Sequence, residues 1–220
     1  ISLKTASLTM IFVFFLGLLA AQWVVNLKSE GLKIVLDGLL TLPLVLPPTV
    51  AGYFLLYLFG VKRPVGLFFL EYFGLKIPFS FGATVLAATV IAFPLMYRSA
   101  RGALEQVDEN LIYAARTLGF SEWKIFFRVA LPACFPGIAG GAVLAFARGL
   151  GEFGATAMIA GNIMGKTRTL PLAVYSAVVA GDFETAGKYV LVIVLVSFLA
   201  VVLLNYFALR EKRNRKGKKS

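Results

Sequence analysis

The chain has 220 residues, 59% of them hydrophobic and only 15% charged, far from a soluble domain, where charged residues make up about a quarter. Its length allows one domain, residues 1–220. It has no histidine and a single cysteine, Cys134, so an internal disulfide is excluded, and hydrolase and metalloenzyme readings lose their commonest base and ligand.

Apolar segments long enough for a membrane span need roughly 20 residues. The first, 8–25, has only Lys4 upstream of it and reads as a retained helix rather than a cleaved leader. The chain opens at Ile1, without a methionine, and a few native residues are expected to be missing ahead of it. The second segment, 36–60, contains Pro43, Pro47 and Pro48. Prolines remove backbone donors and kink helices, and broken helices at membrane depth line cavities or lie buried in protein. Asp37 reads as a helix-start or interfacial residue of that segment. The third, 81–97, is uncharged and slightly short, with Pro94 near its end. The fourth, 136–159, carries six glycines, of which Gly137 and Gly141 form a small-xxx-small pair suited to close helix approach. Ordinary packing accounts for these glycines about as well as moving gates do. Cys134 reads as a small packing residue at the membrane edge. The fifth segment is 189–209. The prediction is an all-α polytopic membrane protein of about five transmembrane helices.

Five spans place the termini on opposite sides. With the basic tail 210–220 inside, the inward segments hold 14 Lys and Arg and the outward ones 7. That bias predicts an outside N-terminus and a cytoplasmic C-terminus. The net charge of +11 then reflects topology and contact with anionic lipid, not nucleic acid.

Within the fourth segment, Arg148 and Glu152 are four apart and share a helix face. An unpaired charge at the bilayer centre costs about 3 kcal/mol on insertion scales. The pair reads either as a gate or pathway lining for an anion, or as a structural ion pair at an interfacial helix end. GNIMGKT, starting at Gly161, resembles a phosphate-binding loop but has three residues, not four, between its first glycine and Gly-Lys, and a membrane helix precedes it. No nucleotide site is expected in this chain.

A polar island, about 98–132, interrupts the apolar pattern. Leu104, Val107, Leu111, Ala114 and Leu118 recur at spacings of three and four, the stripe of one amphipathic helix. Gly119 suits a helix stop, Ser121 a cap for a second helix, and Trp123 and Phe127 share a face of it. Two short helices around a glycine make a knob that fits a groove on another protein. This indicates a transporter energised by a separate soluble partner. A helix pair lying on the membrane surface is the plainer alternative.

YAARTLGFSEWKIFFRVALP, residues 113–132, resembles the cytoplasmic-loop signature of permease subunits of bacterial ABC importers: Glu-Ala-Ala, three residues, Gly, nine residues, Ile-x-Leu-Pro. Ala114, Ala115, Gly119, Leu131 and Pro132 match in register, and Val129 replaces the isoleucine. Tyr113 stands at the glutamate position, with Glu109 one turn earlier. LPLVLPPTVAGYFLL, FPLMYRSAR, LAFARGLGEFGATAMIAGNI and KTRTLPLAVY resemble molybdate permeases; similar segments occur in sulfate and tungstate permeases, and the run Thr167 to Pro171 tilts the resemblance toward molybdate.

The resemblance implies a type I ABC importer permease in a bacterial or archaeal plasma membrane, a transport subunit and not an enzyme. It implies two permease copies, two cytoplasmic ATP-binding subunits that hold ATP and Mg, and an extracytoplasmic molybdate-binding protein. No cofactor or metal is implied in this chain. Tyr113, Ala114, Ala115, Gly119, Trp123, Leu131 and Pro132 would couple to the ATPase. Pro47, Pro48, Thr49, Arg148 and Glu152 would lie near the pathway or gate. A sulfate or thiosulfate permease, which usually pairs with a different permease, and a tungstate permease are the alternatives. A secondary transporter, which needs its own ion site and usually internal repeats, fits less well.

Overall fold

The computed structural model describes residues 1–217. The side chains of the basic tail 210–220 lie outside the described residues, as does all of 218–220. Eleven α-helices and one π-helical turn follow in order: α1 (Ser2–Val25), α2 (Glu30–Val45), α3 (Pro48–Phe59), α4 (Pro64–Phe73), α5 (Phe81–Glu105), α6 (Glu109–Thr117), α7 (Glu122–Ile125), the π-turn Phe126–Ala130, α8 (Leu131–Leu150), α9 (Gly154–Ile159), α10 (Leu170–Val179) and α11 (Phe183–Gly217). No strand occurs among the described residues. Four runs are long and apolar enough to cross a membrane, and the bent pair α2–α3 makes a fifth.

Three expected boundaries change. The segment 36–60 is two helices meeting at 110°. A residue before proline is pushed out of the helical region. Leu46 precedes Pro47, and Pro47 precedes Pro48, and both are extended, with ψ of 142° and 134°. Two consecutive pre-proline residues therefore set the bend, and Pro48 restarts the helix at its first position, where no N–H is needed.

The segment 136–159 is also not one span. Helix α8 begins at Leu131 and ends at Leu150, and after three intervening residues α9 begins at Gly154. Third, α5 runs eight residues past Tyr97, to Glu105. Leu104 therefore belongs to α5, and the single amphipathic helix expected over Leu104 to Leu118 is broken before α6. Asp108 caps α6 by accepting the Asn110 amide at 2.9 Å.

The core is α1 and α8 packed on α5. Val13, Met96, Tyr97, Ala100 and Ile138 are buried there. Small residues bring the backbones together: a Cβ on Gly137 would lie 2.8 Å from that of Ala103, and Gly141 faces Ser99. The Gly137–Gly141 pair thus marks the α5–α8 contact. A second core joins α3, α5 and α9 through Ala51, Leu55, Ala87, Ile91 and Ala155.

Helix α2 buries no residue. It is tied to α5 by Asp37, which pairs with Arg101 at 2.6 Å and accepts a hydrogen bond from the Tyr97 hydroxyl at 3.0 Å. Asp37 therefore lies within α2 as a bridging residue, not at a helix start. It is the lone charge in segment 36–60, which was the available signal.

Gly52 of α3 faces the α9 backbone, where a Cβ would lie 2.6 Å from the Ala155 Cα. Gly140 has no heavy atom within 4 Å of a built Cβ. Gly52→Ala should therefore lower the melting temperature of the purified protein, by overpacking worth about 1–3 kcal/mol, while Gly140→Ala leaves it unchanged. Equal melting temperatures for the two variants would show that α3 and α9 do not pack this closely.

Candidate functional site

Two places carry the chemistry: a junction of broken helices, and the knob between α5 and α8.

At the junction, the α2–α3 bend meets the α8–α9 break. A Cβ on Gly154 would lie 3.0 Å from the Pro48 Cβ and 3.1 Å from the Thr49 nitrogen, so the two segments touch with almost no room for a larger residue at this position. Glu152 is 2% exposed. One of its carboxylate oxygens accepts the Arg148 guanidinium at 2.8 Å, and the other accepts the Ala155 amide at 2.8 Å. It therefore neutralises Arg148 in the last turn of α8 and caps the start of α9. Arg148 keeps about a third of its side chain exposed. Phe153 packs against Tyr175 of α10, with ring centroids 5.4 Å apart.

The structure thus brings Pro48 and Thr49 to Gly154, two residues from Glu152, and Arg148 to Glu152. The pair is not two side chains on one continuous helix face, as the spacing indicated, but a staple across a helix break.

The knob is closed by several local bonds. Gly119 adopts φ of 76°. The Phe120 amide reaches the Ala115 carbonyl at 3.1 Å and the Gly119 amide reaches Arg116 at 2.9 Å, the bonds of a Schellman helix stop. Ser121 caps α7, accepting the Lys124 amide at 3.4 Å. Across the turn, Arg116 bonds both oxygens of Glu122, at 2.8 and 3.1 Å, and that bond holds the Arg116 guanidinium above its ordinary pKa. The Tyr113 hydroxyl donates to Glu109 at 3.3 Å.

Ala115 is buried and Ala114 and Pro132 are exposed. Trp123 is 72% exposed and stacks on Phe127 at 6.0 Å. Leu118, 74% exposed, and Tyr113 are further exposed apolar side chains of the knob. Leu131 and Pro132 sit in the first turn of α8, just after the π-turn. Pro132 has no N–H to bond the Arg128 carbonyl, and a widened turn accommodates that loss.

The phosphate-loop lookalike is an exposed turn closed on its own backbone. The Ile163 carbonyl lies within hydrogen-bond range of the Lys166, Thr167 and Arg168 amides, at 2.9–3.1 Å. Thr167 is fully buried and accepts the Ile163 amide at 3.0 Å.

Interrupted membrane spans meeting at one point, with a rigid helical knob at the far end of the bundle, define a multi-span membrane permease. Residues 13–216 match the family described as binding-protein-dependent transport system inner membrane component. The chain is 43% identical over 218 residues to the molybdenum transport system permease protein ModB of Escherichia coli (strain K12), covering 99% of this chain and 95% of that one. A putative molybdenum transport system permease protein, YvgM of Bacillus subtilis (strain 168), is 40% identical over 93% of this chain and 89% of its own.

Among solved structures, the MetNI methionine ABC transporter in inward-facing conformations superposes with a TM-score of 0.71 at 18% identity, covering 93% of this chain and 90% of that chain. A bacterial alginate ABC transporter superposes with a TM-score of 0.70 at 16% identity, covering 95% and 76%. The chain belongs to the family of binding-protein-dependent transport system inner membrane components, and its fold is that of ABC transporter permeases.

Removing one partner of a buried ion pair costs about 3–5 kcal/mol, because the other charge is left uncompensated. Arg148→Met should destabilise the purified protein strongly. Glu152→Gln, which keeps an oxygen for the Ala155 amide, should cost less, and the double variant should recover much of the loss of Arg148→Met. A thermal-denaturation cycle in which the two changes simply add would remove the staple.

Proposed function

We propose that this chain is the membrane-spanning permease of an ABC importer that carries molybdate into the cell. Identity of 43% with a molybdenum permease, running over 99% of the chain, is the observation that carries this reading. The named relatives at 40–43% agree in substrate. In the proposed assembly, two copies line the path, two ATP-binding subunits hold ATP and Mg on the cytoplasmic side, and an extracytoplasmic protein delivers the oxyanion. The N-terminus lies outside and the C-terminus inside, as the distribution of basic residues favours.

The mechanism follows from the levers at hand. The knob joins α5 to α8, and both are long helices packed against each other. Closure of the ATPase dimer would displace the knob, and the displacement would travel along α8 to Arg148 and Glu152, where the span is already broken. Helix segments that meet at a break can rotate without unwinding a regular helix. Each partner shifts the permease only by as much as it prefers one conformation over the other. The exposed apolar side chains of Leu118, Tyr113 and Trp123 would be the groups through which the ATPase expresses that preference.

The knob assignment is tested by Ala115→Asp, which places a charge in a buried site, and by Gly119→Pro, which cannot adopt the observed positive φ. Both should abolish uptake while membrane insertion persists. Normal uptake by either variant would defeat the assignment.

The substrate is tested by reconstituting the chain with its ATPase and binding protein and titrating molybdate, tungstate and sulfate. ATP hydrolysis should respond to molybdate at a concentration at least tenfold lower than to sulfate. A preference for sulfate would keep the importer and replace the substrate.

A further inference from the structure

At the end of the bundle opposite the knob, the turn between α3 and α4 and the approach to α5 form an open surface pocket of about 430 Å³. Lys62, Arg63 and Lys76 border it, together with Tyr53, Tyr57 and Phe79, and no acidic residue lines it. Among the described residues none of the three cations forms an ion pair. The Arg63 guanidinium lies 4.0 Å from the Tyr57 ring centroid, which fixes its charge at the pocket wall. All three cations are exposed, so water screens their mutual repulsion, and their shared positive field favours an anion in the pocket.

One helix, α3, runs from the pocket to the junction. Thr49, Tyr53 and Tyr57 recur at i, i+4 and i+8 of α3, and all three are exposed. Tyr53 and Tyr57 rings are 6.3 Å apart. At 1.5 Å per residue this hydroxyl-bearing stripe covers about 12 Å. It starts at the pocket and ends at Thr49, against Gly154 and close to the Arg148–Glu152 staple. An aromatic belt that only met lipid headgroups would stop at the interface. This stripe continues inward to the helix break.

We propose that the Lys62–Arg63–Lys76 pocket is an entry subsite for a tetrahedral oxyanion, and that the Thr49–Tyr53–Tyr57 face of α3 conducts the anion from it toward the junction. This rests on the oxyanion-importer reading above. The cations raise the local anion concentration by field focusing, an effect worth about 10–1000-fold in rate and sensitive to salt. The tyrosine and threonine hydroxyls replace part of the anion's hydration as it leaves the pocket.

The test uses the assembled importer in neutral-lipid nanodiscs, with Val61→Cys as reporter on the pocket wall. Native Cys134 is buried. Labelling of the reporter by an anionic thiol reagent should slow at least tenfold in millimolar molybdate, and the slowing should vanish in Lys62→Gln/Arg63→Gln/Lys76→Gln. It should also weaken in Lys62→Gln/Lys76→Gln, which keeps the Arg63–Tyr57 contact should the triple variant misfold.

Equal slowing by chloride at matched ionic strength would overturn the subsite and leave only charge screening. Slowing by anionic lipid but not by molybdate would also overturn it, assigning the pocket to a lipid phosphate. Uptake by the unmodified importer separates the two levels. If it imports molybdate yet shows no protection, only the subsite fails. If it imports no oxyanion, the functional reading fails first.

Discussion

Inside a membrane no backbone N–H or C=O can be left to water, so a helix can stop only where protein satisfies the freed groups. Two spans of this chain stop part-way, at Leu46–Pro47, where Pro47 is exposed, and at Gly151–Phe153, where Glu152 is buried. Glu152 makes the second stop tolerable. Its carboxylate meets a guanidinium from α8 and an amide from α9 with almost no exposure. Gly154 lets the first stop come within contact of the second. The prolines at 47 and 48 complete the arrangement, because neither asks for an amide partner. The transport reading depends on this junction, where a small rotation needs no regular helix to break.

The knob stands in the opposite mechanical regime. A left-handed glycine, a Schellman stop, a serine cap and a two-oxygen Arg116–Glu122 pair fix its shape. It is exposed, so the ion pair adds little stability by itself. Its importance is geometric, because a stiff knob transmits displacement and a soft one absorbs it. In the proposed mechanism the α5–α8 contact, made close by Gly137 and Gly141, would carry the motion inward. Helix α2, which buries nothing and is tied to α5 through Asp37, Arg101 and Tyr97, would follow α5 in that mechanism and bring the Pro47 bend with it.

Much of this was legible from the residues. Hydropathy located the spans, since twenty apolar residues have few other uses. Pro47 and Pro48 announced the first break. The second break was hidden, because the glycines that mark it serve helix packing in membranes just as often. Spacing placed Arg148 beside Glu152, but only coordinates show the second carboxylate oxygen capping α9. The periodic stripe ran through Gln106–Asp108 because Leu104 and Val107 both pack against the core, while Asp108 was read as an off-stripe charge and not as a cap. Helices α4, α9 and α10 have 10, 6 and 10 residues and fall below any span rule. The pocket of Lys62, Arg63 and Lys76 joins positions 14 residues apart, and sequence separation conceals such meetings.

The most direct measurement is the distance between spin labels at Thr49 of two copies in the assembled importer, with the native cysteine replaced. Nucleotide binding should change that distance, and Ala115→Asp in the knob should abolish the change. A distance that stays the same with and without nucleotide, in an importer that still transports, would contradict transmission from the knob to the helix junction.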